Sequence, residues 1–274
     1  MLSASTEDPL LKYSFFPDSN NLYLQHLHEI LGAFIFYTVL NNYIAPRINR
    51  LIFKKSYTSL SDKKTKIDFD THIVSTVQAL VALYISIPTL FIPLNTYKIT
   101  EYQDDRCSMV AALTSGYFFW DLSVCIQNYD LYGPAFSAHA ISSLLVFFSA
   151  LRPFGQAWTG RFLIYEASTP FVNVNWFIIT FTKLKQPVST LLNVVNGVSL
   201  LVVFFLVRIV WGNIANVLVF KEMWDVRHEG PILLMLLMVV LNQTLSILNL
   251  VWFRKMVIIA KKMATKASQG KKQE

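Results

Sequence analysis

The chain has 274 residues, of which 54% are hydrophobic, 14% aromatic and only 15% charged. Its mean hydropathy is +0.43, and a soluble domain of this length would carry more charge. The composition therefore excludes an ordinary soluble protein. We interpret the net charge of +7 as a sign of membrane topology, and we expect no nucleic-acid partner.

Residues 1–26 are polar and mildly acidic, without the basic start and short apolar run of a signal peptide. We predict that they form a lumenal or external tail. The apolar block 27–46 then becomes an uncleaved first transmembrane helix, followed by a basic cytosolic loop at 47–65.

Six further apolar blocks follow along the chain. Most reach the roughly 17–25 residues that a helix needs to cross the hydrocarbon layer, and none shows the sustained alternation of a transmembrane strand. The sequence thus predicts an all-α, polytopic membrane protein with about seven transmembrane helices. The six blocks are 72–94, 109–128, 135–151, 161–182, 189–210 and 232–253.

Lysine and arginine are concentrated in two segments, 47–71 and 254–274. Cytosolic loops carry such an excess, so with seven helices the N-terminus is predicted to be lumenal and the C-terminus cytosolic. The basic tail 264–274 contains Lys271 and Lys272, the fourth and third residues from its end. This pattern resembles a dilysine retrieval signal recognised by coat proteins, and it predicts an endoplasmic reticulum membrane protein.

Two ionisable residues interrupt sequential spans at a similar depth on the cytosolic side. Asp121 lies in the third span and His139 in the fourth. An ionisable group inside a membrane is by default a functional-site hypothesis. We expect this pair to form the catalytic part of a site, with His139 as a general base that Asp121 orients.

Polar residues from several spans lie in the same layer and are candidates for contacting a lipid or another substrate. An alternative is that these side chains only form hydrogen bonds between helices. No metal-ligand spacing or phosphate-binding glycine loop is present, so we expect no metal and no cofactor. The candidate binding residues are Ser75, Gln78, Tyr117, Ser142, Asn173, Asn175 and Asn196.

The fifth span contains Glu166 and Pro170, and the sixth contains Arg208. Both charged residues lie nearer the lumenal end, so a structural ion pair between Glu166 and Arg208 is the simplest interpretation. Pro170 lies inside the span, removes a backbone hydrogen bond and should kink the helix.

Four motifs, in this order and spacing, resemble the TLC family, the TRAM–LAG–CLN group of endoplasmic reticulum membrane proteins. The resemblance covers roughly 66–263 and is closest to small fungal and animal TLC-domain proteins. The motifs are DFDTHIVSTVQA (68–79), GYFFWDL (116–122), AHAISS (138–143) and YEASTPFVNVNWF (165–177).

The resemblance implies a six-helix barrel around a lipid-accessible cavity, with the first span outside it. In the ceramide synthase branch the cavity opens toward the cytosol, and two adjacent histidines support acyl transfer from coenzyme A. Here the matching position reads Ala138-His139, which argues against ceramide synthesis. Asp121 matches an acidic position of the third span, and His139 matches the remaining histidine.

Three functions are compatible with these features. The first is a protein that binds an acyl chain or lipid in a cytosol-facing cavity and influences membrane lipid homeostasis. The second is an acyl-CoA-dependent acyltransferase that uses His139. The third is a cargo adaptor or assembly factor for membrane proteins, whose loops would bind the partner. The sequence does not decide whether the protein is an enzyme.

Overall fold

A computed structural model describes residues 7–93 and 98–270, with side chains up to residue 262. Throughout these ranges the chain forms helices joined by loops, and no strand occurs among them. The predicted all-α class is therefore confirmed.

Seven helical runs account for most of the fold, and their positions follow the apolar blocks. Short helical turns at Leu11–Tyr13, Leu22–Gln25, Lys55–Thr58 and Gln156–Trp158 precede or join them. The runs are α1 (27–53), α2 (Lys63–Phe91), α3 (Asp105–Gln127), α4 (Tyr129–Ser149), α5 (159–183), α6 (Thr190–Asp225) and α7 (Ile232–Gly270).

Five of the runs, α2, α3, α4, α6 and α7, are long and apolar enough to cross a membrane. The other two, α1 and α5, are not among these five. A π-helical stretch, Leu40–Ile44, divides α1, and a 3-10 segment, Ile164–Ser168, divides α5. The five spanning helices confirm a multi-pass membrane protein.

The last six helices form a closed ring. Going around it, contacts join α2 to α3, α3 to α4, α4 to α7, α7 to α6, α6 to α5, and α5 back to α2. Helix α1 packs on the outside of this ring, against α3 and α2. The six-helix barrel with an external first helix, which the resemblance implied, is the arrangement observed.

A glycine lets α1 approach the barrel closely. A Cβ atom added at Gly116 would lie 2.4 Å from the carbonyl oxygen of Ile30 and 2.6 Å from Cβ of Ala33. No side chain larger than hydrogen fits there without a shift. The glycine of the GYFFWDL motif therefore sets the distance between α1 and α3.

Helix α6 is longer than the predicted block 189–210. It begins at Thr190, changes to π-helical geometry at Phe205–Val210 and continues to Asp225. Arg208 therefore lies in the middle of the helix, whereas the sequence placed it near the lumenal end.

The sequence predicted a kink at Pro170 inside α5, and the structure instead begins a regular helix there. Pro170 lies in the first turn of the regular helix Thr169–Lys183, just after the 3-10 segment. Proline is tolerated there because the first turn has no partner for its missing N–H. This change of helix type brings Glu166, Ser168 and Thr169 to the centre of the barrel.

Candidate functional site

A cavity lined by residues of the barrel helices, here called the central cavity, has an empty volume of about 470 Å³ including the open space at its mouth. Helices α3 to α7 all contribute to its wall. One side is aromatic and aliphatic, and the other carries polar and charged groups. The wall consists of Phe118, His139, Ser143, Val146, Phe147, Phe162, Leu163, Tyr165, Glu166, Arg208, Asn242, Leu245 and Asn249.

Arg208 is the cation of this wall, and only 9% of its surface is exposed. Its Nε donates a hydrogen bond to Ser168 Oγ at 2.8 Å, and Nη2 donates to Thr169 Oγ1 at 3.3 Å. Its Nη1 donates to Asn249 Oδ1 at 3.4 Å. A guanidinium carries five N–H donors, so within the described part of the chain two donors stay unused.

Glu166 lies beside Arg208 without a direct hydrogen bond to it. The distance between Glu166 Oε1 and Arg208 Nη2 is 3.9 Å, and Thr169 Oγ1 donates to Glu166 Oε2 at 2.7 Å. A close bidentate pair would consume the guanidinium donors. At 3.9 Å the carboxylate offsets the buried charge and still leaves Arg208 able to bind another anionic or polar group.

His139 faces the same space from α4. Its Nδ1 is buried and has no hydrogen-bond partner among the residues described. The ring contacts Trp252 edge-on at 5.5 Å and Phe118 at 6.1 Å between ring centroids. A buried polar atom without a partner costs about 1–3 kcal/mol, so this nitrogen is a natural contact for a ligand.

A second, mainly apolar cavity, here called the end cavity, adjoins the first and has an empty volume of about 410 Å³ including the open space at its mouth. The two share Val146, Phe147, Phe162 and Asn242 in their walls. The end cavity reaches Ile99 and Gly155, in loops at the end of the barrel opposite the basic loop 47–65. We expected a cavity facing the basic, cytosolic side. These two spaces extend toward the other end instead.

Asp121 does not join His139 in this arrangement. No hydrogen bond or ion pair connects the two within the described ranges, and Asp121 is absent from the walls of both cavities. The acidic group that lines the cavity with His139 is therefore Glu166.

Several of the candidate binding residues have their polar atoms occupied by the protein itself. Asn173 Nδ2 lies 2.7 Å from both Ser75 Oγ and Thr76 Oγ1. The hydroxyl of Tyr37, on α1, donates to Gln78 Oε1. These bonds connect helices in a layer nearer the basic end of the barrel, which we call the hydrogen-bonded layer.

The remaining candidates also lie outside the walls of the two cavities. Asn196 Nδ2 donates to the carbonyl of Phe171 at 3.1 Å. Tyr117 packs edge-on against Tyr37 at 5.0 Å, Ser142 is 2% exposed, and Asn175 is half-buried. Lys271 and Lys272 lie outside the described residues.

The candidate list omitted Ser143, Tyr165, Asn242 and Asn249, which line the central cavity. A signal for two of them was present in the sequence. Asn242 and Asn249 are seven positions apart, so they lie on one face of a helix. Tyr165 carried no such pattern, because its position depends on the 3-10 segment of α5.

The wall chemistry favours a ligand with a negative or hydrogen-bonding polar group. The wall contains only two side chains of the kind that bind metal ions, the imidazole of His139 and the carboxylate of Glu166. The positive charge of Arg208 beside them would repel a cation. The aromatic part of the wall and the end cavity suit an apolar chain.

Comparison with known proteins matches residues 68–258 to the TLC domain. The chain is 49% identical over 264 residues to Topoisomerase I damage affected protein 4 of Saccharomyces cerevisiae, covering 96% of this chain and 94% of that protein. An uncharacterized TLC domain-containing protein of Schizosaccharomyces pombe is 33% identical, with 85% and 78% covered.

Relatives also occur in animals. TLC domain-containing protein 4 of Homo sapiens is 31% identical over 224 residues, which cover 77% of each chain. No solved structure matches this chain.

Proposed function

Since this chain belongs to the TLC-domain family, we propose that it binds a lipid inside its barrel and thereby influences membrane lipid composition. The acyl chain occupies the end cavity and the aromatic side of the central cavity. The polar end of the lipid contacts Arg208 and His139.

The observation that carries this proposal is that polar groups without hydrogen-bond partners lie next to an apolar cavity. Arg208 and His139 line one cavity wall. Two N–H donors of Arg208 are not used by the hydrogen bonds described, and Nδ1 of His139 has no partner among the described residues. Phe147 and Phe162 continue from there into the end cavity. A carboxylate or phosphate would complete the hydrogen bonding of Arg208, and its chain would contact the apolar side chains of the end cavity.

We further propose the endoplasmic reticulum membrane as the location, with the N-terminus lumenal and the C-terminus cytosolic. The basic segments 47–71 and 254–274 support this orientation, and the dilysine pair Lys271 and Lys272 supports retrieval to the endoplasmic reticulum.

Replacing both lysines by serine should release the protein to later compartments, as fluorescence microscopy would show. Glycosylation acceptors placed in 1–26 should be modified, and those placed in 47–71 should not.

The lipid proposal is tested by native mass spectrometry of the protein released from nanodiscs. Val146 lines both cavities, so Val146→Phe should narrow the connection between them. Its matched control is Val202→Phe, at a side chain on α6 that is 51% exposed. We expect the wild type and the control to retain a lipid adduct, and Val146→Phe to lose most of it. Equal adducts in all three proteins would overturn the proposal.

A second candidate is acyl transfer from coenzyme A, favoured by the free Nδ1 of His139 in a cavity that also holds Glu166. His139 would accept the proton of an amine or hydroxyl while that group attacks the thioester carbonyl. The C–S bond then breaks, and the leaving thiolate takes the proton from His139.

An assay of the purified protein with acyl-CoA and candidate acceptors separates these candidates. Turnover that disappears in His139→Ala and survives in Asp121→Asn supports transfer at this site. Absence of turnover alongside a lipid adduct supports binding alone. If neither is found and a His139/Asp121 double variant still rescues the trafficking of membrane proteins, the cargo-adaptor function is favoured.

A further inference from the structure

A group of titratable side chains lies far from the central cavity, where the N-terminal segment meets the start of α1. Asp8 belongs to that segment, just before the short helix Leu11–Tyr13. His26 is the residue before α1, and Glu29 lies in its first turn. All three side chains are shielded from solvent, with exposures of 0% for Asp8 and Glu29 and 1% for His26.

The three groups are close to one another. His26 Nδ1 lies 2.9 Å from Glu29 Oε2 and 3.5 Å from Asp8 Oδ2. Each residue has one nitrogen or oxygen that could bind a metal, and these three atoms all lie within 4.8 Å of one another. His28 is next to the group, with its Nε2 3.8 Å from Glu29 Oε1.

Several atoms of this cluster have no hydrogen-bond partner in the part of the chain that the structure describes. They are Asp8 Oδ2, His26 Nε2, His28 Nδ1 and Glu29 Oε1. The carboxyl groups of Asp8 and Glu29 face each other away from solvent, and each keeps one oxygen that has no hydrogen-bond partner among the described residues. Buried charges of this kind are normally paired or coordinate a metal.

We propose that Asp8, His26 and Glu29 bind a divalent cation of the zinc class. One imidazole and two carboxylates are typical ligands of such ions, at about 2.0–2.2 Å. Ligand atoms already within 4.8 Å of one another need only small side-chain movements to surround the ion. Water or His28 supplies the fourth position.

The site fastens the N-terminal segment to the start of α1. Two other contacts hold the same segment, since Ser14 Oγ donates to the carbonyl of Gln25 at 2.5 Å and His28 Nε2 lies 3.0 Å from the carbonyl oxygen of Leu10. A cation shared by Asp8 and α1 would add a third, stronger connection. Removing the ion should therefore expose residues 8–21 to proteases.

The experiment uses the full chain in nanodiscs, stripped with a chelator and then titrated with Zn²⁺ by calorimetry. Elemental analysis after desalting gives the metal content. Glu29→Gln removes one ligand and keeps the size of the side chain. Asp18→Asn and His228→Gln are the matched controls, because both residues are exposed.

The expected result is about one ion per chain in the wild type and both controls. Replacing a residue that only hydrogen-bonds a metal ligand lowers metal affinity roughly 10–100-fold. Glu29→Gln removes a ligand itself, so its affinity for Zn²⁺ should fall by at least that factor. Addition of Zn²⁺ should also protect residues 8–21 from proteolysis. Failure of the wild type to bind Zn²⁺, Co²⁺ or Mn²⁺ would overturn the proposal, as would full binding by Glu29→Gln.

A spectroscopic measurement on the wild type covers the case in which Glu29→Gln does not fold. X-ray absorption at the zinc edge should show only nitrogen and oxygen neighbours. Sulfur neighbours would assign the ion to Cys107 or Cys125 and overturn the proposal.

Discussion

The hydrogen-bonded layer and the central cavity are both polar regions inside an apolar barrel, and they differ in how their polar atoms are used. In the layer, Asn173 binds Ser75 and Thr76, and Tyr37 binds Gln78. In the cavity, Arg208 keeps unused donors and His139 Nδ1 has no partner among the described residues. Polar content inside a membrane protein therefore does not by itself indicate a binding site. A polar atom left without a partner is the more specific sign.

The largest expected effect is that of Arg208→Met. This change leaves the partly buried carboxylate of Glu166 without its counter-charge, and we expect a cost of about 3 kcal/mol, the lower end of the range for breaking a buried pair. We expect the free energy of unfolding in mixed micelles to fall by that amount and the lipid adduct to be lost.

Two companion variants sharpen this result. Arg208→Met combined with Glu166→Gln should recover much of the stability, because the unpaired charge is gone, yet it should not recover the adduct. Lys221→Met, at an exposed position of the same helix, should change neither. A single Arg208→Met variant as stable as the wild type would contradict the buried pair.

The next effect concerns the helix that supplies Tyr37 to the hydrogen-bonded layer. Gly116→Ala places a methyl group 2.4 Å from the carbonyl oxygen of Ile30, and overpacking of this kind costs about 1–3 kcal/mol. Gly32→Ala is the matched control, since nothing lies within 4 Å of its added Cβ. Denaturant unfolding should separate the two, and equal stabilities would mean that α1 does not pack closely on α3.

A third pair of variants compares the two regions directly. Asn173→Ala removes hydrogen bonds between helices, each worth about 0.6 kcal/mol, and should leave the lipid adduct intact. His139→Leu should lower the adduct without loss of stability, because it removes a polar atom that has no partner. If Asn173→Ala abolished the adduct, the distinction between the two regions would fail.

The smallest expected effect is at an exposed ion pair. Lys98 Nζ lies 2.7 Å from Glu229 Oε2, in loops outside the spanning helices. The lysine ammonium lowers the pKa of Glu229, and Glu229 together with Glu101 raises the pKa of Lys98.

The stabilising contribution of this pair is thus present at neutral pH. It is lost as the pH falls below the ordinary glutamate value of 4.5, through the lowered pKa of Glu229. It is also lost as the pH rises past 10.5, through the raised pKa of Lys98. Thermal unfolding of Glu229→Gln across pH should differ from the wild type only slightly, and a large difference would mean that the pair is not exposed.

Much of the fold could be predicted from the sequence. The length of an apolar block locates a helix because the helix must match the thickness of the hydrocarbon layer. Basic loops indicate orientation because lysine and arginine are enriched on the cytosolic side. The extent of α6 could not be read this way. The predicted apolar block ends at Val210. The helix continues for another 15 residues, Trp211–Asp225, and this part packs against α7 and α5.

The site was less predictable, because depth along a helix does not define which way a side chain faces in three dimensions. Asp121 and His139 have similar depths, yet the residues that line the cavity with His139 are Glu166 and Arg208. The cluster at the N-terminus was missed for another reason. Asp8 is 18 positions before His26, and only folding of the N-terminal segment brings the two together.

Photo-crosslinking in native membranes can establish whether a lipid occupies the barrel. A phospholipid or fatty acid with a diazirine in its chain is irradiated, and the labelled residues are mapped by mass spectrometry. The proposed function predicts label on Phe147, Phe162 and Leu245, and its reduction in Val146→Phe. Label confined to outward-facing side chains such as Val202 and Val240 would contradict it.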